Sequence, residues 1–204
     1  MKEHFTKLRQ FYRGDLKRPL LLSTAAFCAV IVLAFLLGLV WPAAAANGMQ
    51  FFANMVREAG LVDDEGSIST VGIFLNNIRA FVVTACYGFI PFVFLPVVSL
   101  ALNGAILGLF AAFYVNNGQS LLVYLAGILP HGIFELPALV LALSCGLYLC
   151  RVITDYVRFN RKGTVKPALA NIARVLVLNV LPLTAIAAVI EANVTPLILA
   201  HFMG

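Results

Sequence analysis

Between residues 120 and 150 the chain is apolar for longer than one bilayer crossing requires, and the middle of that run reads Gly127-Ile-Leu-Pro-His-Gly-Ile-Phe-Glu-Leu-Pro-Ala138. Counted from the Asn116-Asn-Gly118 turn, a single straight helix rising roughly 1.5 Å per residue would be about 48 Å long. The hydrocarbon core it has to cross is about 30 Å thick. Pro130 and Pro137 each remove a backbone donor and crowd the carbonyl four residues earlier, on Ala126 and Ile133. The surplus length and the prolines coincide. The expected structure is therefore two half-helices, or a re-entrant pair, joined by a broken stretch over residues 129–137, with Pro130, Gly132 and Pro137 as the break. His131 lies roughly 17 Å along from the turn, near the bilayer midplane.

A second consequence concerns charge. If residues 131–135 are helical, His131 and Glu135 stand at i and i+4 on one face. Lipid cannot satisfy an ionisable pair or broken backbone, so both must face protein or water. Arg79 and Glu191, near the ends of other apolar runs, and Asn103, inside one, are the further polar candidates for the same site. Arg79 either snorkels into headgroups or turns inward to pair with Glu135 or Glu191. The His/Glu pair itself either forms a proton-linked or ligand-binding site or stitches a broken helix to its neighbours.

Composition leaves no soluble alternative. The 204 residues are 62% hydrophobic and 11% charged, with mean hydropathy +0.97, too little polar surface to coat a globule. The class that follows is all-α, a polytopic transmembrane helical bundle of about five spans. These are placed at residues 20–41, 78–95, 97–114, 120–150 and 169–190, in a single transmembrane domain over 20–204. A net charge of +5 points to nucleic acid in many proteins. Here the basic residues fall in two short segments flanking apolar runs, residues 1–19 and 151–167, which is the pattern of cytoplasmic loops and implies no nucleic-acid partner. The N-terminus is expected in the cytoplasm and the acidic 42–75 loop outside, in a cell (plasma or inner) membrane.

The remaining local signals are weaker. Lys2, Lys7, Arg9, Arg13, Lys17 and Arg18, with Phe5, Leu8, Phe11 and Tyr12 interleaved, suit an amphipathic helix on an anionic leaflet or a solvated basic tail. Asn76 and Asn77 are placed to cap the second span, and Asn54 to Ala59 to form a short surface helix. Gly104 and Gly108 make a small-xxx-small surface for helix packing, open to an internal contact or a homo-oligomer, with Asn103 bonding across it. Cys28, Cys86, Cys145 and Cys150 lie in apolar runs without CxxC spacing and read as buried thiols. No catalytic residue is assigned. The metal signature HExxH is absent, Ser99, Ser120 and Ser144 sit in no nucleophile motif, and neither a metal nor a cofactor is expected.

Asn76-Asn-Ile-Arg79, Leu102-Asn-Gly104 with Gly108, Leu129-Pro-His-Gly-Ile-Phe-Glu-Leu-Pro-Ala138, and Ile190-Glu191 followed by Thr195-Pro196 resemble, in that order, the stage II sporulation protein M family. The likeness runs over roughly residues 20–200, and the Pro-His-Gly-Ile-Phe-Glu-Leu-Pro block is its specific part. It implies a five- or six-span membrane protein. It also implies a non-catalytic anchor or scaffold, since the family's named member recruits peptidoglycan-degrading partners during engulfment. The expected role is recruitment of envelope-remodelling partners. The alternative is a translocator or lipid-handling protein that uses the midplane His/Glu site.

Overall fold

The computed structural model describes residues 2–58 and 69–203, and no strand occurs among them. In order come α1 (Lys2–Arg13), α2 (Lys17–Val40), α3 (Pro42–Glu58), α4 (Thr70–Cys86), α5 (Pro96–Asn116), α6 (Leu121–Phe159), α7 (Val165–Val175), α8 (Leu181–Asn193) and α9 (Thr195–Met203). Among the described residues, five helical stretches are long and apolar enough to cross a membrane: Lys17–Val40, Thr70–Phe89, Pro96–Asn116, Leu121–Phe159 and Val165–Asn193. The all-α, five-span expectation is met.

The fourth segment is not broken. α6 runs through Pro130 and Pro137 as one helix of 39 residues. Each proline lacks the donor for one ladder bond, and the helix continues across both. Because the two are seven residues apart, they fall within about 20° of the same helix face, so whatever bending they cause adds in one plane. Gly132 is not a hinge either: a Cβ there would meet Ile128 Cγ2 at an ordinary 3.4 Å and Leu136 no closer than 3.8 Å. The surplus length leaves at the far end instead. α6 continues past Cys150 to Phe159 through Arg151, Asp155 and Arg158, residues suited to water rather than lipid. Ser120 starts the helix, its Oγ accepting from Leu122 N at 3.1 Å, and Asn160 ends it in the left-handed region at φ 50°.

α6 is the axis of the bundle. Its buried stripe includes Ala138, Leu139, Ala142, Leu143, Cys145, Gly146 and Leu149, and α2, α4, α5, α8 and α9 all pack on it. After α4 the chain makes a turn of 3-10 helix, Tyr87–Phe89, that presses directly on α6. A Cβ at Gly88 would collide with the Gly146 carbonyl, so only glycine allows this approach. The reversal that follows is tied to the same helix. Phe92 N donates to Thr154 Oγ1 at 3.1 Å, and Cys150 Sγ donates to Ile90 O at 3.3 Å.

α2 and α5 form the other tight pair. Gly104 meets Val30, and a side chain at Gly108 would run into Ile31 O and Ala34. The small-xxx-small surface therefore closes an internal contact. Asn103 does not bond across it; its Nδ2 donates back to Ser99 O in its own helix at 2.8 Å.

Other boundaries shift for local reasons. α4 begins at Thr70, capped by Ser69 Oγ accepting from Gly72 N at 3.1 Å, so Asn76 and Asn77 lie inside the helix and cap nothing. α3 spans Pro42–Glu58 rather than residues 54–59, because its Ala-rich start is itself helix-forming and packs on α5, with Phe52 edge-on to Phe110. Of the acidic 42–75 loop, residues 59–68 lie outside the described residues. Between α7 and α8 the chain forms a π-helical segment, Leu176–Val180. It lies just ahead of Pro182, whose nitrogen has no hydrogen to give to the helix ladder.

α1 is amphipathic but docks on protein rather than lying free. Leu8 and Phe11 are buried, Phe11 packs edge-on against Tyr148 of α6, and Tyr12 Oη donates to Asn179 Oδ1 of the π segment at 3.1 Å. Of the four free thiols, Cys145 and Cys150 are buried as expected, whereas Cys28 and Cys86 lie on outward faces of the bundle.

Candidate functional site

Three titratable side chains meet where α6 passes the junction of α8 and α9. α6 projects His131 and Glu135 from one face because they are one helical turn apart. α8 brings Glu191 to them from a position 56 residues on, two before the helix ends at Asn193. One ligand atom from each of the three lies within 4.8 Å of the others, and all three residues are half-buried. His131 Nε2 is 4.0 Å from Glu135 Oε2, and their side chains keep 12% and 24% of their surface accessible, so the pair faces protein. On the same helix Leu129 and Ile133 are exposed and take the outward face.

Thr195, the first residue of α9, organises the imidazole. Its Oγ1 lies 3.2 Å from His131 Nδ1 and donates to the Ile190 carbonyl at 3.3 Å. With its proton directed to that carbonyl, the hydroxyl receives a hydrogen bond from His131 as acceptor. The proton of a neutral imidazole is then on Nδ1, and the lone pair is on Nε2, facing the carboxylates. Thr195 is buried, 6% exposed, which fixes the relay in place. The inner face of the site is thus three groups of acceptors, the Nε2 lone pair and two carboxylates. Acceptors so placed, in surroundings poorer in water than the surface, are stable together only around a proton or a cation.

The depth of the site follows from its neighbours. Asn193 Nδ2 reaches Thr70 Oγ1 at 3.4 Å, so α4 begins and α8 ends at about the level of the cluster. α9 then carries the chain onward along the first turns of α6, where Leu199 packs against Gly127. The site therefore occupies the junction of α8 and α9 beside an unbroken α6, not a gap within α6.

Of the other residues expected here, Arg79 is exposed and makes no ion pair among the described residues, and Asn103 bonds within its own helix. Pro130, Gly132 and Pro137 flank the site without opening it. Thr195 is a residue of the cluster to which sequence reasoning gives no role, although its spacing of four from Glu191 across Asn193 is visible in the chain.

A second polar region lies at the opposite end. Arg18, Arg151 and Arg161 line a cleft of about 560 Å³ with Asp15, Asp155, Thr164 and Asn171, and Arg161 pairs with Asp155 at 3.3 Å. The fold thereby joins at one end the two basic segments that the sequence keeps some 130 residues apart.

The family model described as Stage II sporulation protein M matches residues 23–196, most of the chain. No curated protein and no solved structure matches.

Proposed function

This chain belongs to the stage II sporulation protein M family, and we propose that it is a translocator-type membrane protein whose working part is the His131, Glu135 and Glu191 centre. In this reading the centre takes up and releases a positive charge, a proton or a cation, between helices that end or bend beside it. The observation that carries it is the convergence of three acceptors from α6 and α8 within 4.8 Å, half-buried between helices. Ionisable groups inside membrane helix bundles are rare and costly, and they mark substrate pathways and proton relays. The junction of α8 with α9 supplies the local irregularity that such sites use.

The proposal places the protein in a plasma or inner membrane, crossing several times, with its N-terminus in the cytoplasm. The meeting of both basic segments at one end, around Arg18, Arg151 and Arg161, supports that orientation.

The anchor reading draws on that same basic end. A charged cleft beside a docked α1 suits recruitment of envelope-remodelling partners, and such a role needs no intramembrane acid. The two readings separate on Glu135→Gln and Glu191→Gln in protein that still inserts and accumulates. A lost deletion-complementing phenotype with partner recruitment retained supports the translocator. An unchanged phenotype in both variants would sink it and leave the anchor. Misassembly of both variants would make the cluster a structural one.

A further inference from the structure

The centre has a donor set and a charge balance that favour one kind of occupant, and this inference rests on the reading of the cluster as a working site. A neutral imidazole contributes no charge and two carboxylates contribute two negative ones. Among simple ions a divalent cation alone brings the set to zero, and neutrality is what a low-dielectric region rewards most strongly. A singly charged ion leaves one carboxylate uncompensated.

Ligand type narrows the choice further. Calcium and magnesium take oxygen donors, whereas an imidazole nitrogen joined to carboxylates suits the first-row transition ions and zinc. The nitrogen concerned is the available one. Thr195 occupies Nδ1 at 3.2 Å and leaves the Nε2 lone pair 4.0 Å from Glu135 Oε2, on the side where Glu191 also converges. A histidine whose far nitrogen is held by a hydroxyl or carbonyl while the near one faces carboxylates has the outer support that ligating histidines usually have. In a tetrahedral zinc site with bonds of about 2.0 to 2.2 Å, ligand atoms stand about 3.4 Å apart. The three atoms here lie within 4.8 Å, so side-chain rotation alone can close the difference. Three protein ligands leave the fourth position open.

We propose that His131 Nε2, Glu135 and Glu191 form a binding site for a divalent transition-metal ion, zinc being the probe of choice, with Thr195 as the positioning residue behind His131. The sequence alone argued against a metal because it offers no two histidines one turn apart. The third ligand comes from α8, and no local motif announces it.

The test uses the full chain purified in nanodiscs, stripped with chelator, then loaded with Zn²⁺ and, for a spectrum, Co²⁺. The expected result is one equivalent of zinc retained through dialysis and a Co²⁺ absorption band, both unchanged in His4→Ala and His201→Ala. His131→Ala, Glu135→Gln and Glu191→Gln should each bind at least about 100-fold more weakly. Thr195→Val should weaken binding roughly 10- to 100-fold, with Thr195→Ser restoring it. Each variant is compared at matched monodispersity and thermal midpoint, and the Co²⁺ band reports the site even where stability shifts. Wild-type protein without stoichiometric zinc, or zinc retained undiminished by both glutamine variants, would overturn the proposal. Absence of zinc on a wild type whose Glu135→Gln variant has lost its phenotype overturns the metal and leaves the charge-uptake reading standing. Bound zinc with an unaffected phenotype in both glutamine variants supports the metal and removes that reading instead.

Discussion

Thr195 Oγ1 stands 3.2 Å from His131 Nδ1 while giving its own proton to Ile190 O, and this one hydroxyl decides which imidazole nitrogen faces Glu135 and Glu191. Nitrogen-15 spectra of His131, recorded with His4 and His201 replaced, should show the Nδ1–H tautomer at neutral charge. Thr195→Val removes the acceptor and should give a mixture of tautomers, which Thr195→Ser reverts. A spectrum indifferent to the valine change would mean that the hydroxyl does not set the proton position.

The α2 and α5 contact is among the tightest in the described bundle. Gly108→Val places a side chain against the Ile31 carbonyl and Ala34 Cβ, atoms of a packed helix that cannot rotate aside. Overpacking of this kind costs about 1 to 3 kcal/mol or more, and thermal unfolding in detergent should show a clear loss. Gly132→Ala, whose new Cβ would find its nearest neighbour at 3.4 Å, should change stability by only a few tenths of that. Equal effects at the two positions would contradict the packing described here.

Because α6 continues through both prolines, Pro137 is not needed as a break. It is exposed on a helix that is otherwise regular. Pro137→Ala should leave the fold intact and raise the unfolding midpoint, since proline in a helix interior is disfavoured relative to alanine by up to about 3 kcal/mol. A fall in stability or misinsertion would restore the broken-segment picture.

The sequence made the architecture legible and misplaced the irregularities, for physical reasons. Apolar length between charged loops counts spans, because lipid leaves few alternatives. Proline positions do not locate breaks: Pro130 and Pro137 sit inside one helix, whereas the ladder loosens before Pro182 at Leu176–Val180, where the π segment also receives α1 through Asn179. His131 and Glu135 were visible as a pair from spacing. Glu191 was named only as a candidate, and nothing local separated it from Arg79 or Asn103. The three differ in tertiary placement: Glu191 points at α6, Arg79 points away from the bundle, and Asn103 is used up on the Ser99 carbonyl.

α1 is held by Phe11, 3% exposed against the bundle, and by the Tyr12 bond to Asn179. Truncation of a buried phenylalanine removes about 3 to 5 kcal/mol where the cavity does not refill. Phe11→Ala should therefore free α1 and expose the Arg9 and Arg13 bonds to trypsin while the spans remain protected. Unaltered cleavage would show that the helix is held elsewhere.

Burial pushes the Tyr12 phenol up from 10.0 to about 12, with Cys145 adding to the rise. The sign is that of a group kept neutral by folding. Its contribution to α1 docking is full below pH 10 and is lost as pH rises toward about 12. Release of α1, followed with an alkaline-stable protease from pH 8 upward, should stay level to about pH 10 and increase above it, and Tyr12→Phe should be weaker at neutral pH yet flat across the window. An identical alkaline rise in Tyr12→Phe would assign the transition to other groups.

The most direct measurement of the site places cysteines at 135 and 191, as Glu135→Cys with Glu191→Cys, in a chain whose Cys28, Cys86, Cys145 and Cys150 are replaced by alanine. A short bis-methanethiosulfonate cross-linker, whose spacer makes up for cysteine being shorter than glutamate, should join these positions within one chain in native membranes and should not join Arg79→Cys to Glu135→Cys. Failure of the 135 and 191 pair to join, in membranes where a Gly104→Cys and Val30→Cys pair does, would contradict the convergence on which the functional account stands.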